Sequence, residues 1–161
     1  MTGVQTCALP IFRYFNSYGP HLDEKGYGSV IANFIRQARD GDPLTVHGDG
    51  LQTRCFTFVA DTVRGTILAG TKDEALGSVF NIGSNFEISI ADLARLILDK
   101  TKSSSAITNV SYEQRYGTSF EDTRRRVPSL DRARSVLGYS PTIDLAEGLD
   151  RTLSWWNTVH T

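Results

Sequence analysis

The stretch Arg13-Tyr14-Phe15-Asn16-Ser17-Tyr18-Gly19-Pro20 constrains this chain more than any other. Its aromatic residues read as a short buried strand, Gly19 and Pro20 turn the chain, and Asn16 delivers one amide side chain at the strand's end. In open α/β folds ligands bind just beyond the C-terminal ends of the strands. Little precedes this stretch. Met1 to Ile11, MTGVQTCALPI, carries no charge and no helical or strand period. Its apolar run is short and mixed, with no basic region before it, which argues against a secretory signal. The letters are similar to one reading frame of a sequencing-library adapter. Residues 1–11 are therefore set outside the fold as an artefact, the alternative being a genuine disordered tail.

Residues 12–161 suit one domain of ordinary size. Hydrophobic content of 40% with 22% charged residues describes a globular chain, not a disordered one. A net charge of −1 gives no electrostatic reason to expect nucleic acid or an anionic membrane as partner. No apolar run approaches the length of a membrane span. With Cys7 in the excluded segment, Cys55 stands alone. A lone cysteine builds no disulfide framework, fits a reducing cytoplasm, and reads as a small buried hydrophobe. No metal-ligand pattern is present.

Short strands alternate with helices. Ser29 caps a helix with Val30, Ile31, Phe34, Ile35 and Ala38 at helical spacing, stopped by Gly41 and Pro43. Leu44-Thr45-Val46 is a strand ended by the turn His47-Gly48-Asp49-Gly50. Arg54 to Val59 is read as one further strand. Asp61 is read as the cap of a helix running to about Ala69, with Val63 and Ile67 on one face. Ser78 to Gly83 is a buried strand, and Ser89 with Asp92 forms a capping box before a helix ending near Lys100. A strand follows at Ile107 to Tyr112, then a polar stretch from Glu113 to Arg126, long for a simple connection. Ser129 caps a helix ending at Leu137 with Gly138 beyond it. Asp144 and Glu147 open a last helix whose Leu145, Leu149, Leu153 and Trp156 face inward. The pattern is mixed α/β, and a complete doubly wound sheet is not encoded here.

Three places could carry chemistry: Asn16, Arg54 after the Gly-Asp-Gly turn, and Arg124-Arg125-Arg126. A diphosphate needs fixed donors and positive charge from several directions, and arginine's planar fork suits it. The plain alternative for the triplet is local ion pairing with Glu121 and Asp122.

Six fragments in order resemble the extended short-chain dehydrogenase/reductase family, the NAD-dependent epimerases and dehydratases of nucleotide sugars. They are Arg13 to Pro20 (RYFNxYGP), Pro43 to Arg54 (PLxVYGDGxQxR), Val59 to Val63 (YVxDxV), Val79 to Gly83 (VFNIG), Arg126 to Pro141 (RxPDxxKA…LGWxP) and Leu145 to Leu149 (LEEGL). The resemblance implies a truncated NAD(P)-binding Rossmann-type α/β fold that keeps the last sheet strands and the C-terminal substrate-binding lobe, over residues 12–161. It implies that Phe15 lies beside the nicotinamide of NAD through its main chain, and that Asn16 hydrogen-bonds the diphosphate region of a nucleotide sugar. Ser29 and Val30 contact the diphosphate or sugar through main-chain amides. Thr45, Val46 and His47 line the base pocket, and Arg54 and Arg126 clamp the diphosphate. Asn81 is either a further contact or a turn-stabilising residue. Where the family commonly has Tyr or Phe, this chain has His47, whose ring stacks with less area.

The family's glycine-rich cofactor loop and Tyr-x-x-x-Lys pair are not found in this sequence, so no catalytic residue is assigned to it. The resemblance implies that the complete protein oxidises C4 of a nucleotide hexose and forms a homodimer. A UDP-glucose 4-epimerase leads, because Ser29 stands where sugar-acid decarboxylases tend to place Arg. A UDP-glucuronate decarboxylase or dTDP-glucose 4,6-dehydratase follows, Cys55 being more decarboxylase-like. A non-catalytic nucleotide-sugar-binding remnant is the alternative of another class.

Overall fold

The computed structural model describes residues 9–22, 29–111 and 122–159. Along them run strands β1 (Ile11–Tyr14) and β2 (Ser17–Tyr18), helix α1 (Val30–Asp40), β3 (Leu44–His47), β4 (Thr53–Cys55), β5 (Thr57–Phe58), α2 (Val59–Gly70), β6 (Val79–Ile82), β7 (Glu87–Ser89), α3 (Ile90–Thr101), β8 (Ile107–Val110), β9 (Arg125–Arg126) and α4 (Leu145–Val159). A π-helical turn, Ala133–Leu137, precedes α4. The polar stretch expected to be irregular lies, over 113–121, outside the described residues. β1 begins at Ile11, one residue before the boundary drawn from sequence, and the Ile11 N–H donates to the Ser78 carbonyl at 2.9 Å.

The strands form small sheets, not one doubly wound sheet. β1 pairs in parallel with β6, β2 with β5, and β3 with β8. β4 lies between β7, antiparallel, and β9, parallel. Between Tyr14 and Ser17 the chain therefore leaves β6 and joins β5. Asn16 makes that change of partner at φ 40°, a left-handed conformation that Asn tolerates better than most residues.

Helix ends follow the expected chemistry. The Ser29 hydroxyl accepts from the Ala32 N–H at 3.3 Å, and Gly41 ends α1 in the left-handed conformation. Ser89 and Asp92 bond reciprocally at the start of α3, and the Asp144 carboxylate accepts from the Glu147 N–H at 2.8 Å. Helices α1, α3 and α4 close with β3 around Phe34, Ile35, Leu44, Leu93, Ile97 and Leu149, all essentially without exposure. Each such side chain contributes about 1.5–3 kcal/mol by leaving water. A second core behind α2 holds Phe80, Ile82, Leu130, Leu137 and Tyr139. Tyr18 ties β2 to α4: its ring lies edge-on to Phe58 and its hydroxyl donates to the Leu145 carbonyl at 3.3 Å. The contact requires Gly148, where an added Cβ would run into the Tyr18 hydroxyl.

The segment after β4 departs from the sequence expectation in two ways. Arg54 to Val59 is not one strand: it breaks at Phe56, and Val59 already belongs to α2. Nor does Asp61 cap the helix, since it lies inside the first turn, 1% exposed. The inward face of α2 carries Asp61, Thr62, Gly65 and Ala69, while Val63 and Ile67 are 51% and 59% exposed. Close approach explains the inversion. A Cβ on Gly65 would stand 2.7 Å from Ile82 Cγ2, so only small or specifically bonded residues fit between α2 and β6.

Asp61 is a latch between α2 and the segment before α4. Its carboxylate accepts from the Thr142 N–H (2.9 Å) and hydroxyl (2.8 Å), the Ile143 N–H (3.0 Å) and the Arg64 guanidinium (2.7 Å). Burial alone would raise its pKa, but Arg64 and the Ile143 and Thr142 donors outweigh burial and hold the carboxyl below its usual value. Asp61→Asn is expected to cost about 1–3 kcal/mol at pH 7 in urea denaturation. The ionised carboxylate stabilises the fold fully above the ordinary carboxyl range near pH ~4, and this is lost as pH falls through the lower folded value. The gap between wild type and Asp61→Asn should therefore close on acidification. A gap unchanged from neutral to strongly acidic pH would refute the latch.

Candidate functional site at the strand ends

Residues 15–16, 54–57, 81–84 and 122–126 meet at the C-terminal end of β1 and around β4. The Asn16 amide donates to the Cys55 carbonyl at 2.7 Å, which sets it one residue from Arg54. The Phe15 N–H donates to the Ile82 carbonyl at 3.2 Å, and the Phe15 carbonyl accepts from the Thr57 hydroxyl at 2.8 Å. Its main chain is therefore already engaged on both sides, which leaves the ring and a carbonyl lone pair for any further contact.

Arg54 is 8% exposed. Its guanidinium donates to the Thr53 and Thr123 carbonyls at 2.8 and 2.7 Å and forms an ion pair with Asp122 at 2.6 Å. A buried charge held by one carboxylate and two carbonyls is fixed in direction as well as neutralised. In the β4–β9 register Arg54 stands opposite Arg126. Paired residues of adjacent strands share a face, so both arginines project from the same side of the sheet. Thr53, opposite Arg125, projects from the other side, where its hydroxyl donates to Glu87 at 2.5 Å.

Glu121, one of the acidic neighbours in the plain reading of the triplet, lies outside the described residues, and the partners of the triplet among the described residues include remote ones. Asp122 serves Arg54, Arg124 forms a bidentate pair with Asp49 at 2.8 and 2.7 Å, and Arg125 makes one with Glu87. The Arg124 donors, ahead of the Leu51 N–H, hold the Asp49 carboxyl below its usual range, and Thr53 and then Arg125 do the same for Glu87. Arg126 is exposed, with no side-chain hydrogen bond or ion pair to another described residue.

The other expected residues sit differently. Ser29 and Val30 open α1, where the Ser29 side chain is committed to capping. Thr45 is bonded through its N–H and hydroxyl to the Gln37 amide. Val46 is 1% exposed within the core, so its side chain lines no pocket, and only its main chain can serve one. His47 is half-buried at the end of β3, and its carbonyl accepts from Gln52 at 2.9 Å. The turn after it needs Gly50, at φ 73°, because a Cβ there would lie 2.8 Å from Val46 Cγ1. Asn81, within β6, donates to the Ser129 carbonyl at 3.0 Å. Burial, and secondarily the charge of Glu87, pushes the Cys55 thiol up to about 11, so it stays protonated at neutral pH. Glu87 and Thr57 were not singled out in the sequence, and Asp122 was named there only as a local partner of the triplet; each also has a partner remote along the chain. Among the described residues no group of His, Cys, Asp or Glu is arranged to hold a metal, and no helix is long and apolar enough to cross a membrane.

Fold and site together define an α/β protein with a polar, arginine-bearing cluster at its strand ends. The chain belongs to the GDP-mannose 4,6 dehydratase family, whose model matches residues 4–152. It is 40% identical over 156 residues to a UDP-N-acetyl-alpha-D-glucosaminuronate decarboxylase of Bacillus cytotoxicus, covering 97% of this chain and 48% of that protein. It is 37% identical to UDP-glucuronic acid decarboxylase 1 of Xenopus tropicalis, over 91% of this chain and 32% of that one. Among solved structures it resembles a UDP-glucuronic acid 4-epimerase of Bacillus cereus in complex with UDP-glucuronic acid and NAD. That likeness has a TM-score of 0.82 and 28% identity, over 94% of this chain and 46% of that one. The chain thus spans half or less of the length of these relatives.

The ion pairs should separate sharply on mutation. Arg54→Ala strips the donors from Asp122 and two carbonyls and is expected to cost about 3 kcal/mol. Arg124→Ala, which removes an exposed pair, should cost less than about 1 kcal/mol. Equal losses in denaturant titrations would show that Arg54 is not the buried anchor of β4.

Proposed function

We propose that this chain is the nucleotide-sugar-gripping part of an NAD-dependent enzyme that acts at C4 of a UDP-linked sugar. The carrying observation is the register that sets Arg54 and Arg126 side by side on one face of β4–β9, one residue from the strand-end amide of Asn16. A diphosphate spread across that face meets a fixed cation and an exposed one with no ion-pair partner among the described residues, with the Asn16 amide beside them. In this reading the N-terminus of α1 at Ser29 and Val30 adds backbone N–H groups toward the phosphates or sugar. The main chain of Thr45 to His47, with the His47 ring, borders the base.

Phe15 fits NAD only as an edge contact, because its N–H and one carbonyl lone pair are in use. NAD, when bound, supplies the hydride acceptor for the sugar carbon. The residues described here bind and orient the nucleotide sugar, and no proton transfer is assigned to any of them. Binding energy from the remote nucleotide then serves to place the sugar for chemistry completed by the rest of the full-length protein.

The relatives' names favour a UDP-linked sugar acid as substrate, and the decarboxylase names support loss of carbon dioxide as the outcome. A second reading, 4-epimerisation, is supported by Ser29, which stands where the decarboxylases tend to place Arg, and by the name of the structural neighbour.

Titration calorimetry with UDP-glucuronate, UDP-glucose and uridine tests the reading. Arg126→Ala should weaken both UDP-sugars about tenfold or more, leave uridine within about twofold, and leave the melting temperature nearly unchanged. Unchanged UDP-sugar affinity in Arg126→Ala would overturn the diphosphate assignment. With the full-length protein and UDP-glucuronate, release of carbon dioxide separates decarboxylation from epimerisation.

A further inference from the structure

β5 is two residues long, yet its first residue joins three of the four segments that carry the strand-end site. Thr57 is 1% exposed. Its N–H donates to the Asn16 carbonyl at 3.1 Å, and its hydroxyl donates to the Phe15 carbonyl at 2.8 Å. The same hydroxyl accepts from the Ser84 N–H at 2.9 Å. One side chain thus links the β1–β2 junction, the start of β5 and the exit from β6. These segments meet where the chain abandons β6 for β5, and such a divergence of neighbouring strands is where α/β proteins open a ligand crevice.

Asn16 depends on this pin. Its backbone is held at φ 40°, off the ordinary strand conformation, so its orientation must be imposed by bonds on either side. One amide hydrogen is spent on the Cys55 carbonyl. The second amide hydrogen and the side-chain oxygen have no partner among the described residues, and their direction follows from residues 15–16 and 55–57. Close packing adds to the constraint, since a Cβ on Gly83 would stand 3.0 Å from Phe15 Cβ.

We propose that Thr57 is a positioning residue for the diphosphate site: its hydroxyl pins the Phe15–Asn16 peptide to Ser84 and thereby aims the Asn16 amide, without touching ligand itself. This rests on the Asn16 assignment proposed above and adds a residue to it. Serine keeps the hydroxyl. Valine keeps the shape and leaves the Phe15 carbonyl and the Ser84 N–H without this partner in a buried place, so the junction relaxes and Asn16 loses its aim.

A double-mutant cycle on UDP-glucuronate affinity tests this by calorimetry, with melting curves recorded alongside. Thr57→Val should weaken binding about tenfold, and Thr57→Ser should stay within about twofold of wild type. Asn16→Ala combined with Thr57→Val should bind no worse than Asn16→Ala alone, because the pin then has nothing to aim. A general packing role would instead weaken binding equally in both backgrounds, which overturns the inference, as would wild-type affinity in Thr57→Val. If Thr57→Val does not fold, Thr57→Ala enters the same cycle as the second hydroxyl-free variant. If Asn16→Ala leaves affinity unchanged, or the wild-type chain binds no UDP-glucuronate, the Asn16 assignment itself falls and this inference with it.

Discussion

The change of strand partner between Tyr14 and Ser17 is the constraint on which the rest of this structure depends. β1 is hydrogen-bonded to β6, β2 to β5, and the two intervening residues must bridge sheets that separate. Asn16 accepts the left-handed backbone this demands, and its amide bonds the carbonyl of Cys55. The same bend delivers Tyr18 to the core against Phe58 and Gly148, so the strand-end site and the packing of α4 share one origin. A residue that straightened the bend would disturb both.

The charges around β4 are divided by burial. Arg54 lies inside and is anchored by Asp122 and two carbonyls, a geometry that resists motion because losing any partner strands a buried charge. Arg124 and Arg125 face solvent and hold Asp49 and Glu87, which fastens β9 and the turn after β3 to the sheet at small energetic gain. Arg126 is the member of the triplet with no side-chain hydrogen bond or ion pair to another described residue. Alternation separates Arg125 from Arg126, since neighbouring residues on β9 project to opposite sides.

Membership of the GDP-mannose 4,6 dehydratase family fits a fold in which parallel pairs are joined through helices. Parallel strands are ordinarily covered on both faces. Here β1 has Ile11 and Tyr14 half exposed, and the Tyr14 hydroxyl bonds Thr66 of α2 beside the exposed Val63 and Ile67. This exposure accompanies coverage of about half of the Bacillus cytotoxicus relative.

Local chemistry was legible from the sequence wherever it depended on neighbours a few residues apart. The Ser29, Ser89 and Asp144 caps, the left-handed Gly41 and Gly138, and the inward stripes of α1 and α4 all appear as the spacing predicted, because a helix brings i, i+3 and i+4 together whatever surrounds it. The ordered motifs pointed to Asn16, Arg54 and Arg126 only by resemblance, and the structure sets Arg54 opposite Arg126 with Asn16 bonded to Cys55. Tertiary structure alone decided what depends on distant partners. Asp61 became a latch because Thr142 and Ile143 come to it, α2 turned its valine and isoleucine outward because Gly65 admits Ile82, and Val46 went into the core. Asp122 met Arg54, and Thr57 acquired its three bonds, only once strands far apart in the chain were set side by side. Periodicity records which way a residue faces along its own element, whereas the identity of what it meets there is a property of the folded whole.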